Sequence, residues 1–219
     1  SLDWFPIVGM ALGLALGAVW WVALDVMPVL PAAALVVMAD LLLTGALHMD
    51  GLADSADGLL SHVSRGRRLE VMADPHVGTF GMAAVVTALM LRAAALASFA
   101  SARPLLLAAV WCASRTSMAV TARYAPYARG RGLATPFLGR SFVLPALSGA
   151  LITIGLATID GPGAVAAVAS VVVVSVAVHA LAYRQLGGFT GDTLGASCVV
   201  AETIALLVAT AVAPGVVNL

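Results

Sequence analysis

This chain of 219 residues contains no lysine, and only 10% of its residues are charged. Soluble domains carry about 25% charged residues, so this shortage excludes an ordinary soluble domain. Hydrophobic residues make up 62% of the chain, and the mean hydropathy is +1.05. The sequence therefore predicts an all-α, polytopic integral membrane protein, because helices satisfy their own backbone hydrogen bonds in lipid.

Cysteines and aromatic residues are also scarce, and this narrows the classes of function that the chain can have. The only cysteines, Cys112 and Cys198, lie inside apolar stretches, where we expect packing residues rather than a disulfide or a metal site. Aromatic residues make up 6% of the chain and do not interleave with a basic face, so a nucleic-acid partner is excluded. The first residues lack the basic segment of a signal peptide, and none is expected.

Seven apolar runs are long enough to cross a bilayer, since a spanning helix needs about 20 mainly apolar residues. They cover residues 4–24, 29–47, 78–100, 104–124, 141–159, 163–183 and 194–214. The runs show no internal repeat, and we expect one membrane-embedded catalytic domain over 1–219. Gly9, Gly13 and Gly17 recur every four residues and predict close helix packing, within one chain or between the chains of a homo-oligomer.

The arginines are distributed unevenly among the connections between these runs. Eight lie in the second, fourth and sixth connections, against one in the first, third and fifth. The eight are Arg65, Arg67, Arg68, Arg123, Arg129, Arg131, Arg140 and Arg184. By the positive-inside rule, these connections and the N-terminus face the cytoplasm, and we expect a multi-pass protein of the bacterial inner membrane.

The most informative segment follows the second apolar run. Asp50, Asp54 and Asp57 are spaced i, i+4 and i+7, which puts their carboxylates on one face of a helix. Such like charges repel unless a cation lies between them, and oxygen clusters of this kind suit Mg²⁺. A solvated acidic turn with capping aspartates is the alternative. Asp74, after a short amphipathic helix predicted over 64–72, either completes the metal site or caps the third spanning helix.

Two later connections carry residues that suit a phosphate. Arg129 lies beside glycines, and a guanidinium binds oxyanions in a bidentate fork. Thr190 and Asp192 belong to a glycine-rich segment that opens the last spanning helix, and glycine permits close approach of a ligand to the backbone. We predict that both contact substrate, with a plain helix N-cap as the alternative for Asp192.

Four ionisable residues lie deeper in the apolar runs: Asp40, Arg92, Arg115 and Glu202. Such groups usually face the interior of a bundle in pairs. We expect Arg115 to pair with Asp40 or Glu202, either as a structural pair or as the floor of the site. No partner is predicted for Arg92. His48 either orients a carboxylate, transfers a proton, or simply marks a helix end at the interface.

Taken together, these segments resemble the cobalamin synthase family, the adenosylcobinamide-GDP ribazoletransferases of late vitamin B12 synthesis. The matching blocks are 42–58, 69–81, 114–115 with 127–133, and 186–196, in the family's order. The resemblance implies that the ribose hydroxyl of α-ribazole, or of its 5′-phosphate, attacks adenosylcobinamide-GDP and releases GMP. The product is adenosylcobalamin or its 5′-phosphate, and the resemblance implies a need for Mg²⁺ and residence in the membrane.

The mechanism that we expect is a phosphoryl transfer at the cytoplasmic face. Its catalytic residues are Asp50, Asp54, Asp57 and His48; its metal ligands are Asp50, Asp54, Asp57 and Asp74; its substrate-binding residues are Arg115, Arg129, Thr190, Asp192 and Glu202.

The chain departs from the family at a few positions. Asp74-Pro75-His76 stands where many members have Asp-Ser-Arg, and Val199 stands at a position that is often acidic. The family's N-terminal segment with an Arg-x-Pro-like motif is not in this sequence.

Two other classes fit part of the pattern. Asp54-x-x-Asp57-Gly58 is similar to the opening of the CDP-alcohol phosphotransferase motif, but Ser61-His62 replaces its Ala-Arg. A cation transporter would need polar groups along its whole path, whereas the acids here concentrate on one face.

Overall fold

The computed structural model describes residues 2–129 and 143–212, and the side chains from 146 onward in the second range. Within these ranges the chain forms helices and no strand, apart from one isolated bridge between Tyr127 and Phe189. The helices are α1 (Phe5–Val26), α2 (Val29–Thr44), α3 (Leu47–Leu60), α4 (Arg65–Val71), α5 (Thr79–Ala97), α6 (Pro104–Tyr124), α7 (Val143–Asp160), α8 (Pro162–Leu186) and α9 (Gly191–Val212).

The lengths and compositions of these helices confirm a multi-pass, all-α membrane protein. Among the described residues, α1, α5, α6, α8 and α9 are each long and apolar enough to cross a bilayer, and α2 with α3 counts as a sixth, bent span. The apolar part of α7, Ala146–Asp160, is shorter. The seven predicted runs therefore correspond to helices. Arg131 and Arg140 lie outside the described residues, as does the end of the last run.

The second predicted run is not one straight helix. It breaks after Thr44, and α3 leaves at 91° to α2. Gly45 has φ +60° and Ala46 has φ +56°, and their N–H groups donate to the carbonyls of Leu42 and Leu41. This pair of bonds is a Schellman cap, which ends a helix with a left-handed residue and turns the chain away from its axis.

Close packing of α1 against α6 explains the glycine stripe of the first run. A Cβ at Gly17 would lie 2.5 Å from the Cα of Pro104, and Cβ atoms at Gly9 and Gly13 would overlap backbone atoms of α6. The predicted packing role of these glycines is confirmed, and in this chain it is an intramolecular one. Cys112 and Cys198 are buried free thiols, as predicted.

Helix α3 lies across the N-terminal ends of α5 and α9. Its Gly51 packs so closely on Asp192, at the start of α9, that a Cβ there would lie 2.7 Å from the Asp192 carbonyl oxygen. The connections after α6 and α8 meet at the same end of the bundle, where the N–H of Ala128 donates to the carbonyl of Phe189 over 2.8 Å. We call this end, with α3, α4 and these two connections, the polar face.

The short helix predicted over 64–72 is present as α4, and it closes the end of α3. Nη1 of Arg68 lies 2.7 Å from the carbonyl oxygen of Gly58 and 2.9 Å from that of Leu59. A cation at the C-terminus of a helix satisfies its last carbonyls and complements the helix dipole. At least this arginine of α4 therefore has a protein partner rather than a lipid one.

Candidate functional site

The three aspartates of α3 share one face of the helix, as their spacing predicts. Asp50 is exposed, while Asp54 and Asp57 are half-buried. The side chains between them, such as those of Leu52 and Ala56, pack into the bundle. The polar face thus presents a row of carboxylates beside the ends of two spanning helices.

Asp57 is engaged by the backbone of α5. Its Oδ2 accepts a hydrogen bond from the N–H of Gly78 at 2.7 Å, and its Oδ1 accepts one from Gly81 at 2.9 Å. The first N–H groups of a helix have no partner within the helix, so this carboxylate caps α5 from another element. The prediction that Asp57 binds metal stays a prediction, with capping as its observed contact.

Asp74 does not cap α5, so that alternative is wrong. The carboxylate of Asp74 is exposed and accepts a hydrogen bond from the backbone N–H of His76 at 2.9 Å. The ring Nδ1 of His76 lies 2.7 Å from the same oxygen. These two hydrogen bonds hold the pKa of Asp74 below its usual value. A role for Asp74 in metal binding stays a prediction.

Thr190, rather than Asp192, caps α9. The N–H of Thr193 donates to Oγ1 of Thr190 at 3.2 Å, and the N–H of Thr190 donates to Oγ1 of Thr193 at 2.8 Å. This reciprocal pair has the geometry of a capping box. The Asp192 carboxylate therefore does not cap α9. The N-cap alternative for Asp192 is therefore wrong. The spacing of Thr190 and Thr193 at i and i+3 is the sequence pattern that would have predicted Thr190 as the cap.

The carboxylate of Asp192 instead forms an ion pair with Arg129. Their Oδ2 and Nη2 atoms lie 3.0 Å apart, and Thr190 Oγ1 lies 3.3 Å from the same carboxylate oxygen. The contact between the connections after α6 and α8 brings the pair together. The two segments predicted to suit a phosphate thus meet in space.

This ion pair lies beside the aspartates of α3. The carboxylate of Asp54 is within electrostatic range of Asp50, Asp57, Asp192 and Arg129. Within the part of the chain that the structure describes, one arginine faces these four carboxylates, so the cluster there has an excess of negative charge that favours a cation. Among the residues that the structure describes, no three His, Cys, Asp or Glu side chains are already gathered around one metal position.

A second polar group lies inside the bundle and balances its own charge. Arg92 contacts two acids: its Nη1 lies 2.6 Å from Asp40 Oδ2, and its Nη2 lies 2.6 Å from Glu202 Oε2. The other oxygen of Asp40 accepts a hydrogen bond from Trp111 Nε1 at 3.1 Å. The sequence did not reveal these partners of Arg92, because depth along the helices does not show how α2, α5 and α9 are rotated toward one another.

Glu202 also pairs with Arg115, as predicted. Its Oε1 contacts Nη1 of Arg115 and accepts a hydrogen bond from Ser114 Oγ at 2.6 Å. Glu202 is only 2% exposed, and the described contacts engage both of its oxygens. Substrate binding by Glu202 stays a prediction; its observed contacts belong to what we call the buried ion network: Asp40, Arg92, Arg115 and Glu202.

The buried ion network reaches the polar face through His48. The Nη2 of Arg115 lies 3.5 Å from Nδ1 of His48, at the outer limit of a hydrogen bond. A guanidinium carries only donors, so Nδ1 faces it as the acceptor and the ring proton belongs on Nε2. Helix α9 approaches closely here, since a Cβ at Gly195 would lie 3.1 Å from the Cα of His48.

A pocket opens beside the carboxylates. Its volume is about 300 Å³, and it lies between α1, α3, α6 and α9. Among the described residues that line it, His48, Asp50 and Asp192 carry polar side chains. The site therefore combines an apolar recess with an anionic rim.

Comparisons with known proteins agree with these features. The profile of the cobalamin-5-phosphate synthase family matches residues 1–210. A Citrobacter koseri protein named adenosylcobinamide-GDP ribazoletransferase is 40% identical over 210 residues, covering 93% of this chain and 84% of that protein. Proteins of the same name from Mesorhizobium japonicum and Roseiflexus sp. are 36% and 37% identical, covering 93% and 98% of this chain and 80% of each relative. No solved structure was found to match.

Proposed function

Because this chain belongs to the cobalamin-5-phosphate synthase family, we propose that it is an adenosylcobinamide-GDP ribazoletransferase. It transfers the adenosylcobinamide phosphate group from adenosylcobinamide-GDP to the ribose hydroxyl of α-ribazole, or of α-ribazole 5′-phosphate. The hydroxyl oxygen bonds to the phosphorus that carries the corrinoid, the bond from that phosphorus to the bridging oxygen breaks, and GMP leaves. The products are adenosylcobalamin, or its 5′-phosphate, and GMP.

The observation that carries this function is the meeting of Asp54 with Asp50, Asp192 and Arg129 at one end of the bundle. Phosphoryl transfer depends mostly on positioning and on electrostatic stabilisation of a pyrophosphate. An arginine beside an excess of carboxylates supplies a direct phosphate contact and a place for a metal ion.

The donor set supports Mg²⁺ as the cofactor. Mg²⁺ keeps several waters and binds through one or two carboxylates plus substrate phosphates, so it does not require a preformed protein cage. Asp50, Asp54 and Asp192 are the ligands that we propose, since the carboxylate of Asp57 already accepts two backbone hydrogen bonds. When bound, the ion would neutralise charge on the pyrophosphate and on the leaving GMP.

The remaining roles fall to protein groups. Arg129 holds a phosphate oxygen, because its guanidinium lies 3.0 Å from the Asp192 carboxylate in the acidic rim. Asp50 or Asp54 accepts the proton of the attacking hydroxyl. His48 lines the pocket, and we propose that its Nε2–H donates to substrate while Arg115, 3.5 Å from Nδ1, holds the imidazole in place.

We further propose that the polar face is cytoplasmic, in a bacterial inner membrane. The uneven distribution of arginines supports this orientation. Transport is disfavoured, because the intramembrane acids Asp40 and Glu202 are neutralised by Arg92 and Arg115 instead of lining a path.

The function is tested by GMP release from the purified protein in lipid. Release should require adenosylcobinamide-GDP, α-ribazole and Mg²⁺ together, and should yield adenosylcobalamin. Asp54→Asn should abolish GMP release. Asp25→Asn is the control and should not, because Asp25 is exposed near the end of α1 that lies farthest from the pocket. Full turnover by Asp54→Asn, or release without the acceptor, would contradict the proposal.

A further inference from the structure

The pocket beside the aspartates of α3, whose side we call the acidic face, has two chemically different parts. Its walls are apolar and include Phe5, Met118 and Leu194. Its rim carries His48, Asp50 and Asp192, which belong to the candidate active site. A group held by the walls is therefore adjacent to the carboxylates of α3.

The size and lining of the pocket select among the parts of the two substrates. Its volume of about 300 Å³ lies at the lower end of the range for small-molecule sites. The corrin macrocycle is too large for it, and the guanosine diphosphate is too polar for apolar walls next to carboxylates. α-Ribazole carries 5,6-dimethylbenzimidazole, a flat bicyclic base with two methyl groups and no exocyclic hydrogen-bonding group. Of these three parts, the dimethylbenzimidazole base is the one that matches an apolar recess of this size.

We propose that this pocket binds the base of the acceptor nucleoside and thereby presents the ribose hydroxyl to the acidic face of α3. The inference rests on the proposed function. The apolar walls give affinity for the base and offer no partner to a phosphate, so the recess does not take the pyrophosphate of the donor. The donor is then confined to the side of Arg129, and the two substrates approach the carboxylates from different sides.

The first test varies the base of the acceptor rather than the protein. We expect kcat/KM to fall about fourfold for each methyl group removed from dimethylbenzimidazole, which corresponds to ~0.8 kcal/mol per buried carbon. The KM for adenosylcobinamide-GDP should stay the same in the series. Equal kcat/KM values for dimethylbenzimidazole and benzimidazole nucleosides would overturn the proposal, and a lipid acyl chain in the pocket predicts that result.

The second test fills the pocket. Ala122 is buried on α6 and lines it, so Ala122→Leu should raise the KM for α-ribazole at least tenfold and leave the KM for the donor unchanged. Ala169→Leu, at an exposed position of α8, is the matched control and should change neither value. An unchanged acceptor KM in Ala122→Leu would overturn the proposal.

A third variant applies if Ala122→Leu does not fold. Met118→Ala enlarges the pocket from the same wall. We expect the ratio of kcat/KM for a nucleoside with a tricyclic base to kcat/KM for α-ribazole to rise at least fivefold. An unchanged ratio would overturn the proposal. Failure of the wild-type protein to release GMP would instead contradict the proposed function, so the two failures are distinct.

Discussion

Asp57 of α3 accepts hydrogen bonds from the backbone N–H groups of Gly78 and Gly81, 21 and 24 residues farther along the chain. The same carboxylate belongs to the acidic row that defines the candidate site. One residue of the row therefore joins α3 to the start of α5, and we propose that its neighbours Asp50 and Asp54 bind substrate and metal.

This division predicts different outcomes for two aspartates. Asp57→Ala should lower the free energy of unfolding by about 1–3 kcal/mol, because two N–H groups lose a charged acceptor. Asp54→Asn removes one negative charge from a row of like charges, so it should leave stability unchanged or raise it slightly, while abolishing turnover. Unfolding in detergent micelles and GMP release measure the two properties. Unchanged stability in Asp57→Ala would contradict the capping role.

The close approach of α3 and α5 predicts that Gly81 cannot carry a side chain. A Cβ at Gly81 would overlap the Asp57 carboxylate and lie 2.9 Å from the carbonyl oxygen of Ala53. Gly81→Ala should therefore destabilise the protein by about 1–3 kcal/mol through overpacking. Gly66→Ala is the matched control, because no described residue outside its own stretch of α4 has a heavy atom within 4 Å of the added Cβ, and its stability should stay the same or rise. Equal stabilities for the two variants would argue against this helix contact.

The buried ion network predicts a large cost for removing one of its acids. Among the described residues, Glu202→Gln removes the acid that Arg115 contacts and leaves Arg92 with Asp40 alone, and we expect a loss of about 3–5 kcal/mol in unfolding free energy. Glu70→Gln makes the same change in an exposed pair with Arg67, 3.8 Å apart, and should cost about 0–1 kcal/mol. Similar losses for both variants, measured by unfolding in micelles, would show that the network does not act as a buried unit.

Arg129 is expected to act on the donor substrate. Arg129→Met should raise the KM for adenosylcobinamide-GDP about tenfold or more, because a charged hydrogen bond to phosphate contributes about 1.5–3 kcal/mol. Arg184→Met removes an exposed arginine from the last turn of α8 and should leave this KM unchanged. Steady-state kinetics with saturating α-ribazole measure both values. A higher KM for α-ribazole alone would assign Arg129 to the other substrate.

Local patterns in the sequence were sufficient for several features. The apolar runs predict the spanning helices, and the spacing of Asp50, Asp54 and Asp57 predicts their common face. The stripe from Gly9 to Gly17 predicts a close helix contact. Each of these rests on the fixed rise and turn of an α-helix, which a short segment determines by itself.

Other features depended on contacts between distant segments. The partners of Arg92 lie on α2 and α9, and the rotation of those helices about their axes decides which acid meets it. In the sequence, Gly45 is only a glycine inside an apolar run and does not predict a bend. In the structure, the left-handed conformation of Gly45 makes α3 turn across the bundle.

Sequence alone determined the class of the protein and the composition of its site: membrane helices, because lipid excludes unpaired backbone groups, and a helical row of carboxylates, because helix periodicity requires it. Tertiary structure decided what each polar residue contacts. It made Asp57 a cap of α5, joined Arg129 to Asp192, and closed the buried ion network around Glu202. The physical reason is that a buried charge or backbone N–H needs a partner, and packing of distant helices decides which one is within reach.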